Sequence, residues 1–398
     1  MKKYQRIHDD PVVMHHGIFQ KERTVMYGIA LIMSGTIGAG VLGIPYVVSK
    51  VGITLGILFI VCLGILMTAL NLLVGEIAMR TKQNFQLVGL ARRYLGKAGE
   101  YLMAIIMYGT LFGVLLVYMI GVGVSLQALF GGSSELWSYT FFVIGTLLVL
   151  AGMRTVKTVE LFLQLVILFI VLVIAVFSFD HIELHNFKYT HLAQFLLPYG
   201  VILFAFHGTT SVPETYSLFH KKKADFQQAI IWAGVLNTLV YCLFAFVVVG
   251  VTGTATTEIA TIGLGEKIGQ GALVMGNLFA ILAMATSFVI TGVALRDSLC
   301  WDLKLRKFTS TLLIVVIPLV MFVLGMRQFI MAIDLVGGIL ISFEVFLILA
   351  MYSRAKKIGD MPMGRFAFKS SFTIMALIAL AVAIGMIYSV NNVIALLM

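Results

Sequence analysis

Charge is what this sequence has least of. Only 12% of its 398 residues are Asp, Glu, Lys or Arg, against 60% hydrophobic, too few to clothe the surface of a water-soluble domain. Proline is scarce as well, at six, so apolar runs proceed with few interruptions. Of the three cysteines, Cys62 and Cys242 fall inside apolar runs and Cys300 at the end of one. They offer neither a disulfide framework nor the clustered spacing of a zinc site and read as packing residues. The opening stretch, MKKYQRIHDDPVVMHHGIFQKER, lacks the short apolar core and cleavage site of a secretory signal and reads as a retained cytoplasmic tail, residues 1–23. His, Asp and Glu are scattered rather than gathered at one membrane face, which speaks against a membrane enzyme.

What the chain does have is apolar length. A membrane-spanning helix needs roughly 20 apolar residues, and eleven such runs can be read, near 24–48, 51–79, 99–129, 137–152, 157–178, 194–217, 226–251, 270–296, 308–326, 329–352 and 371–396. No stretch is left for a soluble domain, so residues 24–398 form one membrane domain. A formal charge of +10 would point to nucleic acid only if the basic residues shared one water-exposed face; here they lie in short loops. With a cytoplasmic amino terminus, all 28 Lys and Arg except Lys50, Lys188, Lys267 and Arg327 fall on the inner side. That asymmetry supports both orientation and count, because one missed span would invert every later loop. The carboxyl terminus then lies outside a cell membrane crossed many times.

Two spans are interrupted where a helix should be continuous. Span 1 carries Ser34-Gly35-Thr36-Ile37-Gly38-Ala39-Gly40, three glycines in seven residues, which a helix interior disfavours. Span 6 carries Phe204-Ala205-Phe206-His207-Gly208-Thr209-Thr210-Ser211-Val212-Pro213-Glu214, whose last four residues read as a capping box with Ser211 as N-cap. Unwound backbone at this depth is tolerable only when buried in protein or lining a wet cavity, so two breaks imply a central binding site. Spans 1 and 6 open successive blocks of five, and an odd number turns the second block over. The expectation is an inverted repeat of 24–178 and 194–352 plus one additional helix at 371–396. The alternative reading is a pair of glycine-mediated helix crossings.

The run Gly35-Thr36-Ile37-Gly38-Ala39-Gly40-Val41-Leu42-Gly43-Ile44-Pro45-Tyr46 resembles the first-helix signature of the amino acid/auxin permease family, with the bacterial aromatic amino acid permeases beside it, in the amino acid-polyamine-organocation superfamily. Phe204-Ala205-Phe206-His207 followed by Pro213 and Glu214 resembles the same family's sixth-helix motif. The resemblance implies an all-α, leucine-transporter-type fold with substrate between the broken spans and flanked by spans 3 and 8. The substrate residues so implied are Gly38, Ala39, Gly40, Tyr118, Phe204, Phe206, His207 and Gly208. A half-helix beginning near Gly40 would aim free N–H groups at an amino acid carboxylate, and Ala39, Phe204 and Phe206 point to a neutral substrate.

Ala283-Met284-Ala285-Thr286-Ser287 in span 8 looks like the run that sodium-coupled relatives use. Carried over, the sodium ligands are the carbonyls of Ser34, Ile37 and Ala283 with the hydroxyls of Thr286 and Ser287, oxygen donors that suit a hard cation; Ser and Thr in helices also bond back to their own backbone. Many eukaryotic members have Asn where this chain has Ser34, a departure that bears on sodium stoichiometry. Proton coupling is the alternative, but Thr158 to Phe177 of span 5 holds no basic residue of the kind that replaces sodium in some proton-coupled relatives.

Single residues are each open to two readings. His207 either binds substrate or a proton, or is a neutral histidine capping local backbone. Glu344, inside span 10, either titrates or pairs structurally with a neighbouring helix. Glu76 and Arg80 are spaced for a helical ion pair. Asp334 and Arg327 either form an outer gate or meet water. Tyr118 either closes over substrate or fills the bundle. His220-Lys221-Lys222-Lys223 marks topology or touches anionic lipid, and Leu87 to Leu95 reads as an amphipathic helix along the inner surface.

The expectation is an ion-coupled amino acid symporter needing no cofactor, with sodium favoured over the proton, an amino acid and the lipid bilayer as partners, and neither nucleic acid nor an obligate protein partner. The rival is a transport-fold sensor, like a spore germinant receptor subunit, that binds without transporting. Thr286→Ala is expected to weaken ion-driven uptake into liposomes; unchanged ion dependence would remove the sodium site.

Overall fold

The computed structural model describes residues 20–151, 156–216, 219, 223–302, 305–361 and 371–397. Residues 1–19 of the tail, Arg154, the His220–Lys222 run, Lys304, Arg365 and Lys369 lie outside the described residues. Among the described residues the chain is helical, with no strand.

Eleven passes emerge. Span 1 is two helices, α1 (Gln20–Ser34) and α2 (Gly40–Val51), and spans 2 to 5 are α3 (Ile53–Met79), α4 (Leu87–Phe130), α5 (Ser134–Ala151) and α6 (Val156–Ser178). Span 6 is again two helices, α7 (Pro198–Ala205) and α8 (Ser211–Tyr216), and span 7 is α9 (Lys223–Thr252). A short helix, α10 (Ala260–Ile268), precedes span 8, α11 (Gln270–Asp302). Span 9 is α12 (Lys307–Val323); span 10 runs through α13 (Phe329–Asp334), a π-helical stretch (Leu335–Ile341) and α14 (Ser342–Ile358); span 11 is α15 (Ser371–Leu397). Leu58, Ile65, Ile105, Leu147, Phe169, Val176, Leu282 and Leu380 are all more than half exposed. In water this would be a severe aggregation hazard; around a helical bundle it is a lipid-facing belt.

Three features lay beyond the hydropathy pattern. Helix α10 is too short to span; it doubles back on α11, where Gly265 meets Leu273 and Gly269 takes φ 132°. The connection from span 5 to span 6 satisfies the carbonyls that α2 and α9 leave open at their ends. There Tyr189 Oη–H donates to Ser49 O at 2.7 Å, His191 N–H to Val51 O at 3.0 Å, and Asn186 Nδ2–H to Gly250 O at 2.9 Å. The π-helical stretch in span 10 is the third.

The amphipathic segment is present as the first turns of α4. It buries Leu87, Leu90, Ala91 and Tyr94, exposes Arg92 and Arg93, and bends into span 3 at Gly96, whose φ of 75° favours glycine.

The two ends of the bundle are tied differently. At the arginine-rich end, buried Glu76 accepts from Arg80 Nε–H at 2.9 Å and from Tyr352 Oη–H at 3.0 Å, while Arg80 Nη1–H reaches Ala355 O at 3.2 Å. The ion pair expected within span 2 is therefore also a joint to span 10. Beside it, Asp360 accepts from Arg93 at 2.7 Å, and that hydrogen bond holds the Asp360 carboxyl below the usual carboxylate range. At the opposite end Arg327 pairs with Glu135 at 2.6 Å, and Glu258 accepts the N–H of Ile330 at 3.2 Å at the start of α13. Of the two readings open for Arg327 and Asp334, a gate between them does not fit: Arg327 turns to α5, and Asp334 is buried against α15, where it accepts from Ser389 at 3.1 Å.

Removing one partner of a buried ion pair costs about 3–5 kcal/mol, because the other charge stays buried. Arg80→Leu should therefore lower the thermal midpoint in detergent markedly, and Arg92→Leu, at an exposed pair, should leave it nearly unchanged; equal effects would mean the joint is not a stabilising one.

Candidate functional site

The break in span 1 is built by local bonds that finish one helix before the next begins. Gly35 N–H donates to Leu31 O at 3.1 Å, Ile37 N–H to Met33 O at 2.8 Å, and the Thr36 hydroxyl to Ile32 O at 2.7 Å. Helix α2 then restarts at Gly40, with Val41 N–H on Gly38 O at 3.3 Å and Leu42 N–H on Ala39 O at 3.1 Å. Among the described residues this arrangement gives the N–H groups of Gly38, Ala39 and Gly40 no backbone acceptor, and the carbonyl of Ile37 no backbone donor. Such a helix start is suited to an anion.

In span 6, His207 N–H donates to Phe204 O at 3.1 Å, and both the amide and the hydroxyl of Ser211 donate to Gly208 O, at 3.1 and 2.7 Å. The capping-box expectation is corrected here: Ser211 is the first residue of α8 rather than its cap, and its hydroxyl proton points back to close the turn before it.

The two breaks lie against each other. A Cβ on Gly40 would sit 2.7 Å from Ala205 Cα, one on Gly35 would sit 2.6 Å from Ser211 Cβ, and one on Gly208 would run into Thr36. These three glycines serve the close approach that the helix-crossing reading anticipates. Gly38 differs: the nearest atom to its missing Cβ is the hydroxyl oxygen of Tyr118, at 3.5 Å. Tyr118 thus lies beside Gly38, in the run of N–H groups that leads into α2.

Sequence reasoning missed the side chain that joins the breaks. Tyr241 of α9, fully buried, donates its hydroxyl to Ala205 O at 2.7 Å and lies 3.4 Å from Thr36 O, one carbonyl from each break. A tyrosine in a span rich in aromatics gave no signal.

Phe204 lies between Gly40 and the π-helical Gly337. The Phe206 ring packs edge-on to Tyr241 at 4.9 Å and against Gly64 of α3. His207 points across to span 10, where its Nε2 is 3.0 Å from Glu344 Oε2. Thr209 donates to the other oxygen of Glu344 and lies 3.2 Å from His207 Nε2. Glu344 is 1% exposed, so the pairing with a neighbouring helix is the reading the geometry supports, and His207 caps a carboxylate rather than local backbone.

The five oxygens expected for sodium come from spans 1 and 8. Ser34 and Ile37 belong to span 1, which packs on spans 5, 6 and 7, whereas α11 packs chiefly on α4, α5, α10 and α12. The Thr286 hydroxyl donates within its own helix, to Leu282 O at 2.8 Å and Ala283 O at 3.1 Å. These oxygen donors have the chemistry that suits a hard cation.

Comparison with known proteins fits this geometry. The chain is 24% identical over 350 residues to glutamine transporter 2 of Aliivibrio fischeri, covering 83% of this chain and 89% of the relative. It is 25% identical over 362 residues to tyrosine-specific transport system 1 of Haemophilus influenzae, covering 83% and 88%. Among solved structures, the inward-facing conformation of Mhp1 superposes with a TM-score of 0.65 at 12% identity over 93% of this chain and 91% of that one. MhsT in complex with L-phenylalanine superposes with a TM-score of 0.65 at 12% identity over 91% and 98%. These show the expected leucine-transporter-type fold of a multi-pass membrane protein. A family profile matches residues 21–388, and the chain accordingly belongs to the tryptophan/tyrosine permease family, as a permease and not an enzyme.

Proposed function

We propose that the protein is a secondary active transporter of neutral amino acids that works by alternating access. The observation that carries this reading is the meeting of the two breaks, where the N–H groups of Gly38, Ala39 and Gly40 have no backbone acceptor among the described residues and the Tyr118 hydroxyl lies beside Gly38. An amino acid carboxylate is satisfied by such N–H groups at the positive end of α2, and Phe204 and Ala39 offer apolar wall. The named relatives, transporters of glutamine and of tyrosine, both handle neutral side chains. Within this reading the repeats 24–178 and 194–352 rock about the site, and the arginine-rich end faces the cytoplasm. A sensor that only binds would need the same pocket, so transport itself is the test.

For the coupling ion, the resemblance supports sodium at Ser34, Ile37, Ala283, Thr286 and Ser287. A specific observation favours a second reading: His207, Thr209 and Glu344 link the span 6 break to span 10 through groups that can exchange a proton, and a buried ionisable pair inside a membrane bundle is a functional site by default.

Reconstituted protein should accumulate labelled tyrosine, tryptophan or glutamine when a sodium or a proton gradient is imposed alone. Saturable binding without accumulation under either gradient would favour the sensor. Glu344→Gln should abolish proton-driven accumulation but preserve counterflow if the proton reading holds, and leave sodium-driven uptake intact otherwise. Tyr241→Phe strips a buried carbonyl of its donor, a loss of about 1–3 kcal/mol; substrate KM should rise several-fold at normal expression, and an unchanged KM would divorce the junction from binding.

A further inference from the structure

Among the buried carboxylates deep in the bundle, Glu76 faces Arg80 and Glu344 faces His207. Asp334, only 7% exposed, differs. Its partners are the Ser389 hydroxyl at 3.1 Å and the Asn392 side chain, both from span 11, and among the described residues no cationic group contributes to its surroundings. The ionisable groups beside it are the phenols of Tyr199 on span 6 and Tyr388 on span 11. Spans 1 and 3 also pack on α13.

The packing around the carboxyl is tight on every side. A Cβ on Gly200 of α7 would sit 2.9 Å from Asp334 Cγ, one on Gly338 would sit 3.1 Å from its Oδ1, and one on Gly337 would sit 2.9 Å from the Gly200 carbonyl carbon. On span 11, Gly385 gives way to the Tyr199 ring, whose hydroxyl bonds Ser342 at 2.7 Å. Three spans therefore close on Asp334 with glycine at each crossing. The π-helical stretch begins at the next residue, and such turns occur frequently at functional sites.

A bare carboxylate in this setting requires a positive partner, since burying an unpaired charge is prohibitive. A metal cation brings a shell of several oxygens, and the glycine crossings leave no space for one. A proton needs no space. We propose that Asp334, with Ser389 and Asn392, forms a proton-binding site at the joint of spans 6, 10 and 11, separate from the substrate cavity and from the His207–Glu344 pair. When α15 shifts and water enters, the carboxyl O–H bond breaks, the electron pair stays on the oxygen, and the proton passes to water; closure reverses the step. The proposal does not depend on which ion drives transport.

Infrared spectroscopy of the full chain in liposomes tests it without any substrate. The wild type should show a carboxylic acid C=O band that persists through neutral pH, is absent in Asp334→Asn and survives in Glu344→Gln. Ser389→Ala and Asn392→Ala, which keep the acid, should move the pH at which the band disappears, and they serve if Asp334→Asn does not fold. A wild type without the band at neutral pH, a band untouched by Asp334→Asn, or a titration unmoved by both neighbour variants would overturn the proposal. So would saturable binding of radioactive sodium lost in Asp334→Asn, which would make the site a metal site instead.

Discussion

A peptide group that leaves a helix inside a bilayer finds no water to bond to, and the rest of this structure follows from how two such departures are reconciled. The breaks of spans 1 and 6 cannot be satisfied separately. They meet across Gly35, Gly40 and Gly208, use the Thr36 hydroxyl to end α1 and the Ser211 hydroxyl to close the turn before α8, and share the phenol of Tyr241. After these bonds are counted, the N–H groups of Gly38, Ala39 and Gly40 are left without a backbone acceptor among the described residues. That is the part of the junction to which the proposed substrate carboxylate is assigned.

Much of the architecture was legible because the bilayer imposes a single rule on every span. Apolar length gave the number of passes, and three glycines in seven residues gave the first break, whose second half starts at Gly40 as expected. The ion pair of Glu76 and Arg80 was legible because its spacing is local. Partners across helices were not. Nothing in the sequence around Glu344 names His207, 137 residues away, and nothing around Asp334 names Ser389. Helix rotation decides such pairs, and rotation is set by the fit of many apolar side chains with no one-dimensional signature.

Span 10 concentrates what was invisible. Its π-helical stretch, Leu335–Ile341, separates Asp334 from Glu344, and its last turns are tied to span 2 through Tyr352 and Arg80. One span thus touches the additional helix, the span 6 break and the arginine-rich end. A widened turn shifts the helical register locally, so the parts on either side of it present different faces to the bundle.

The Tyr241 hydroxyl has one proton and two carbonyls within reach, at 2.7 Å on Ala205 and 3.4 Å on Thr36. A three-centre arrangement of this kind is shared unequally. Sliding one break past the other by a fraction of an ångström hands the proton from the shorter partner to the longer without a moment at which neither is served. The junction is held in the manner of a swivel: firm against separation, soft along the direction in which the two breaks pass each other.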